Sequence, residues 1–154
     1  ARRMADTDPT ATARAIIDAN LYMVLGTADE AGRPWVSPVY FAHSEYHEFF
    51  WVSRPETKHS HNLAGRPEIS IVIFDSQVPI GTGQGVYMSA SAEELAGSER
   101  ERGIELFSQR SLKHGGNPWA LADVEPPARL RLYRATTSAH DLLDANDQRV
   151  PVSL

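Results

Sequence analysis

The chain contains no cysteine. Disulfides, thiolate metal sites and thiol nucleophiles are therefore excluded, and a reducing compartment is permitted. No apolar run approaches the roughly 20 residues that a membrane-spanning helix needs. Positive charge is in short supply: 15 Lys and Arg stand against 20 Asp and Glu, for a net charge of −5 and a pI near 5.6. An acidic chain without a basic stripe is not expected to bind nucleic acid. Repeats and low-complexity linkers are also missing, so residues 1–154 read as a single domain, large enough to bury a core without staples. Arg2-Arg3 is followed by Met4-Ala5-Asp6-Thr7-Asp8, which is not an apolar h-region. Neither a secretory nor a twin-arginine signal is expected, Met4 is a candidate start, and the protein reads as cytoplasmic with a small ligand. Residues 1–7 and 145–154 are expected to be flexible tails.

Against this acidic background one positive patch stands out. From Arg54 to Arg66 three cations, Arg54, Lys58 and Arg66, face the single carboxylate Glu56, a net of +2 before any histidine protonates. Positive charge concentrated in an acidic protein points to a bound anion. The patch lies between Phe49–Ser53, which is aromatic and β-branched, and Glu68–Phe74, a nearly unbroken apolar run. Both compositions suit strands, with a short polar helix between them.

The remaining pattern is mostly β. Asp8 and Pro9 open a helix with Ala11, Ala15, Ile16 and Ala19 on its predicted face. A strand over Leu21–Thr27, a turn at Asp29–Pro34 and a strand over Trp35–Phe41 follow, with Pro38 forcing an edge or a bulge. Gly81, Gly83 and Gly85 resemble half of a dinucleotide fingerprint, but Val86 stands where the last glycine belongs and a strand follows, so that reading fails. Ser98-Glu99-Arg100-Glu101 reads as a capping box for a helix with Ile104, Phe107 and Ser111 on one stripe, ending near Lys113. A short helical turn from Asn117 is expected before Pro126-Pro127. Alternation through Arg129–Arg134 then gives a strand with one wet face. The sum is six strands with mostly hairpin connections: a mainly β protein with flanking helices, best closed as an antiparallel barrel.

Two histidine clusters are weighed for metals and set aside. In His43-Ser44-Glu45-Tyr46-His47-Glu48, Tyr46 occupies the place of the Glu that an inverted zinc motif needs, and the context is a turn. His59 and His61 fall on different sides of a helical turn, and no third ligand is evident.

The order and spacing of Gly32–Phe41, Phe50–Ser53, Thr57–Leu63 and Arg66–Ile71 resemble the pyridoxamine 5′-phosphate oxidase-like family of FMN-binding split barrels, over about Ala11 to Tyr133. The resemblance implies a six-stranded antiparallel split β-barrel, a homodimer, and FMN in a cleft between protomers. It implies a cation just before the Asn-Leu of the short helix for the cofactor phosphate; Lys58 and His59 straddle that place, and the register stays open. Ser53 and Ser60 are further phosphate donors by chemistry. Backbone of Val36, Ser37, Pro38 and Val39, and of Trp51, Val52 and Ser53, is implied for the flavin ring. Trp51 is read either as core or as a wall of the cleft, and Gln84 either as a turn residue or as a flavin contact. The expected activity is that of a small FMN-dependent oxidoreductase taking a small-molecule substrate or electron donor, with no catalytic side chain identified. Alternatives are an F420-dependent reductase of the same fold and a non-catalytic flavin- or haem-binding module. The chain lacks the longer C-terminal region with which true pyridoxamine-phosphate oxidases grip substrate phosphate, so vitamin B6 oxidation is not expected.

Overall fold

The computed structural model describes residues 8–154. The tail expected over 1–7, with its paired arginines, lies outside the described residues. Helix α1 (Pro9–Ala19) is followed by strands β1 (Tyr22–Ala28), β2 (Pro34–Tyr40), β3 (Ala42–Ser44) and β4 (Glu48–Ser53). Helix α2 (Lys58–Gly65), strands β5 (Glu68–Phe74) and β6 (Gly85–Glu94), helix α3 (Gly97–Lys113), a 3-10 turn (Leu121–Asp123) and strands β7 (Arg131–Leu143) and β8 (Arg149–Val152) complete the chain.

Every strand pairing is antiparallel, in the order β2-β1-β5-β6-β7-β4-β3, with β8 added along β7. The two edges of that path, β2 and β3, are consecutive in the chain with only Phe41 between them. The sheet must therefore curl until its edges meet, which makes a mainly β architecture consistent with a split barrel. The split has a definite cause. β3 spans three residues and pairs only with Glu48–Phe50, so Trp51–Ser53 of β4 is bonded to β7 on one side and free on the other. β2 is bonded to β1 alone, as the proline at position 38 required.

Alternation sorts the side chains into two cores. Met23, Leu25, Phe49, Trp51, Ile69, Ile71, Ile73, Met88, Tyr133 and Ala135 fill the inside of the curl, and Ala13 and Ile17 of α1 pack into the same cluster. Phe50 and Leu132, one residue out of phase, face outward and are covered by Ile104 and Phe107 of α3. Strand β4 is thus buried on both faces, which explains its aromatic run. Gly103 lets α3 lie close: a Cβ there would come within 2.9 Å of Leu132 and 3.1 Å of Phe50.

Several expectations need correcting. Six strands become eight, because β3 and β8 are too short for a periodic signal. Within the segment 145–154, expected as a tail, Arg149–Val152 forms β8, held by the His140–Leu143 edge of β7, and the Leu154 carbonyl accepts from Arg14. The buried face of α1 is Ala13 and Ile17; of the expected face Ile16 is partly buried against the same core, while Ala11, Ala15 and Ala19 are exposed, because the two isoleucines bury far more apolar area than alanines do. Asp8 does cap that helix by accepting from the Thr10 amide. The capping box of α3 does not form: Ala96 is the N-cap and Glu99 instead binds Arg102 and Arg134. The turn expected from Asn117 comes later, at Leu121–Asp123. Arg134, in phase with Leu132 on β7, is half-buried between Glu48, Glu93 and Glu99.

Candidate functional site

The free edges of β2 and β4 face each other across a cleft of about 590 Å³. Its strand walls carry Pro38, Val39, Val52 and Ser53, and α2 contributes His59. Unpaired backbone on both sides offers amides and carbonyls to a ligand's edge. The volume is that of an ordinary small-molecule or cofactor site.

Helix α2 is built to hold one wall. Thr57 is its N-cap, and the hydroxyl accepts from the Ser60 amide at 3.3 Å. Asn62 donates to the Thr27 hydroxyl at 3.1 Å, both side chains buried, which ties the helix to β1. Leu63 anchors it in the inner core. His59 is turned inward as well, with Nε2 2.9 Å from the Ser53 hydroxyl and 3.3 Å from that of Thr57. Burial holds its pKa below the usual imidazole value, so the ring is neutral at pH 7. Ser60, expected as a phosphate donor, is 3% exposed, and its hydroxyl accepts from that of Thr57 at 2.7 Å.

Positive charge sits beside the cleft rather than in it. Lys58 is exposed, with its ammonium 4.3 Å from the centroid of the Trp35 ring. Among the described residues neither Lys58 nor Arg54 is in an ion pair, so both remain available to an anion. Arg66, the third cation of the patch, donates to the Glu30 carbonyl.

The other sequence candidates separate. Val36 lines hollows on the outer surface of the sheet and not the cleft, and Ser37 is half-buried and does not line the cleft either. Trp51 is fully buried and stacks on Tyr133 at 5.8 Å, so its ring belongs to the core and does not wall the cleft. Gln84 is half-buried at the entry to β6 and does not line the cleft. His43 and Tyr46 both bond the Asp18 carboxylate, at 2.8 and 2.6 Å.

The far wall of the cleft was not visible in the sequence. The end of α3 and the loop after it bring Phe107, His114, Asn117 and Trp119 against Tyr40 of β2 and Leu130. Sequence showed His114-Gly115-Gly116 only as a helix stop; nothing local says that this stop folds over β2.

Comparison with known proteins agrees with the topology. The profile of the family described as pyridoxamine 5′-phosphate oxidase matches residues 9–139. No curated protein sequence matches. Among solved structures, a haem binding protein from Mycobacterium smegmatis superimposes with a TM-score of 0.77 at 15% identity, covering 99% of this chain and 60% of its own. The chain thus spans about three-fifths of that protein's length. The haem storage protein HutZ from Vibrio cholerae gives a TM-score of 0.68 at 17% identity, with 86% and 92% covered. An FAD-binding protein from Mesorhizobium loti gives 0.62 at 20% identity, with 86% and 91% covered. At these identities the likeness is one of fold. The profile match, running from α1 into β7 and spanning both walls of the β2–β4 split, shows that the chain belongs to the pyridoxamine 5′-phosphate oxidase family.

Proposed function

We propose that the chain is an FMN-binding flavoprotein, a small oxidoreductase with the flavin ring in the β2–β4 cleft and the phosphate toward Arg54 and Lys58. The observation that carries this reading is the pairing of two free strand edges with two unspent cations at the start of α2. Backbone of Val36–Val39 and Trp51–Ser53 suits the polar edge of the ring, and apolar side chains such as Val39 and Val52 suit its faces. The phosphate carries close to two negative charges, which charge-assisted donors hold best. When bound, flavin supplies electron transfer; the chain's own residues orient the ring, exclude water and set the local charge. His59, neutral and bonded to Ser53, acts here as a spacer that keeps the Ser53 hydroxyl in place.

A second copy of the chain is part of this reading. Ile69, Ile71 and Ile73 fill the inner core under α1, while Ser70 and Phe74 on the opposite face are exposed. Val36, in register with Gly26 and through it with Ser70, lies on that same face and is 68% exposed, as Phe74 is 47%. Among the described residues no helix covers that surface, and an exposed apolar patch of this kind marks an interface. A homodimer through it would border the cleft.

Pyridoxine 5′-phosphate is not the substrate in this account. Arg131 donates to the carbonyls of Ala128 and Leu130, and Arg134 is held by three carboxylates, so neither is free to grip a phosphate. The test is the absorption spectrum of the protein as purified, with mass spectrometry of the released ligand. FMN is the expected result. A deazaflavin would point to the F420 reading, and a haem band to the haem-binding activity named for two of the structural neighbours.

A further inference from the structure

The two ends of the cleft differ in chemistry. At the end away from α2, the Tyr40 hydroxyl lies 3.0 Å from His114 Nδ1. A phenol donates more readily than it accepts, and the unprotonated nitrogen of a neutral imidazole is a strong acceptor. The hydroxyl therefore donates to Nδ1 and leaves the ring proton on Nε2, where it is available to the cleft that His114 lines.

The support under this pair is constructed rather than loose. Ser111 donates to the Asn117 carbonyl at 2.7 Å, the Gly116 amide donates to the Ser111 carbonyl at 2.7 Å, and the Trp119 amide donates to the Ser108 hydroxyl at 2.8 Å. A Cβ on Gly116 would meet the Ser111 hydroxyl at 2.5 Å, so the close turn depends on glycine there. The rings of Tyr40 and Trp119 each meet Phe107 edge to face at 5.5 Å. No carboxylate, lysine or arginine lines the cleft. The nearby cation Arg110 is spent on the carbonyls of Phe41 and Asn20, at 2.7 and 2.9 Å.

We propose that this end of the cleft is a subsite for a second ligand, a flat uncharged aromatic carbonyl compound whose oxygen accepts from His114 Nε2–H and whose ring packs against Phe107, Trp119 and Leu130. The proposal rests on reading the rest of the cleft as the flavin site, and it names the substrate class that the reading leaves open. His114 touches the ligand; Tyr40 positions His114 by fixing its proton. An uncharged lining disfavours an anionic ligand, because no paired charge repays its desolvation.

Three compounds with one ring system separate the contributions: 1,4-naphthoquinone, 1,4-naphthoquinone-2-sulfonate and naphthalene. The chain has no thiol for a quinone to alkylate, so binding is measured cleanly by calorimetry on both flavin-free and FMN-loaded protein. The quinone should bind at least 10-fold tighter than either the sulfonate or naphthalene. H114A should bring the quinone down to the level of naphthalene without weakening naphthalene itself, H114Q should restore part of the difference by supplying an N–H, and Y40F should lose part of it. All three variants should keep the far-UV circular dichroism spectrum of the parent chain, so that a change in binding is read on folded protein. Equal or tighter binding of the sulfonate, or undiminished discrimination in H114A, would overturn the proposal. Loss of the flavin reading would appear separately, as absence of FMN binding, while the flavin-free arm still decides the subsite.

Discussion

Lys58 and His59 are neighbours in sequence with opposite fates. Lys58 projects into solvent over Trp35 with no carboxylate partner, whereas His59 is buried against Ser53. Of the two, Lys58 is the one able to carry charge to a phosphate. Lys58→Ala should weaken FMN binding by roughly 1.5 to 3 kcal/mol, about 10- to 150-fold, the worth of one charge-assisted hydrogen bond. Flavin fluorescence titration of the folded variant checks it, and unchanged affinity would remove Lys58 from the site. His59 makes a pH prediction instead. Burial lowers its folded pKa, as it does those of His43, His114 and His140. Between the folded values and the unfolded value near 6.5, the unfolded chain binds more protons, so stability rises with pH and falls on acidification through that window. Hydrogen bonds hold three carboxyls below the usual carboxylate range, from Tyr46 to Asp18 against the opposing effect of its burial, from Arg33 to Asp29 and from Arg102 to Glu99, so their contributions are lost only at lower pH. The urea midpoint should therefore drop from pH 7.5 to pH 5.5, and His59→Gln should show a smaller drop than the parent chain.

At the scale of elements, what could be read from sequence was whatever is encoded locally. The run Glu68–Phe74 alternates into the core as its composition requires, Pro38 does mark an edge strand, and the stripe Ile104, Phe107, Ser111 is the buried face of α3. What could not be read depends on partners far away in the chain. Glu99 looks like half of a capping box, yet Arg134, 35 residues on, claims its carboxylate at 2.6 Å. Arg149–Val152 has four residues and a proline, too little for a strand by pattern, and becomes one because β7 runs on past β4 and leaves an edge to fill. Truncation after Asp144 should then cost roughly 1 to 3 kcal/mol through the partly buried Val150 and Val152, lower the thermal midpoint, and promote aggregation along the freed β7 edge. Thermal unfolding with light scattering checks this; an unchanged midpoint would mean that β8 is a tail after all. The site divides the same way. Its α2 wall was legible through an unusual charge cluster, while its α3 wall was not, because the contact between His114 and Tyr40 joins residues 74 apart.

For the whole molecule, the account joins a curled sheet whose edges meet without pairing to a cleft made by that failure to pair. β3 is short, β2 is an edge, and the backbone left over faces the cleft instead of another strand. The outward surface bearing Val36 and Phe74 is where the proposed second copy would pack. Light scattering at micromolar concentration with FMN present should give twice the 17.0 kDa chain mass, and a single-chain mass would refute the dimer. The central claim, that the β2–β4 cleft with its neighbouring cations holds FMN, is tested most directly by titrating flavin-free protein with FMN and with riboflavin while following flavin fluorescence. The account predicts saturable quenching at one FMN per chain and at least about 10-fold weaker riboflavin, the loss of one charge-assisted phosphate contact. No saturable quenching by either flavin, or equal affinity for both, would contradict it.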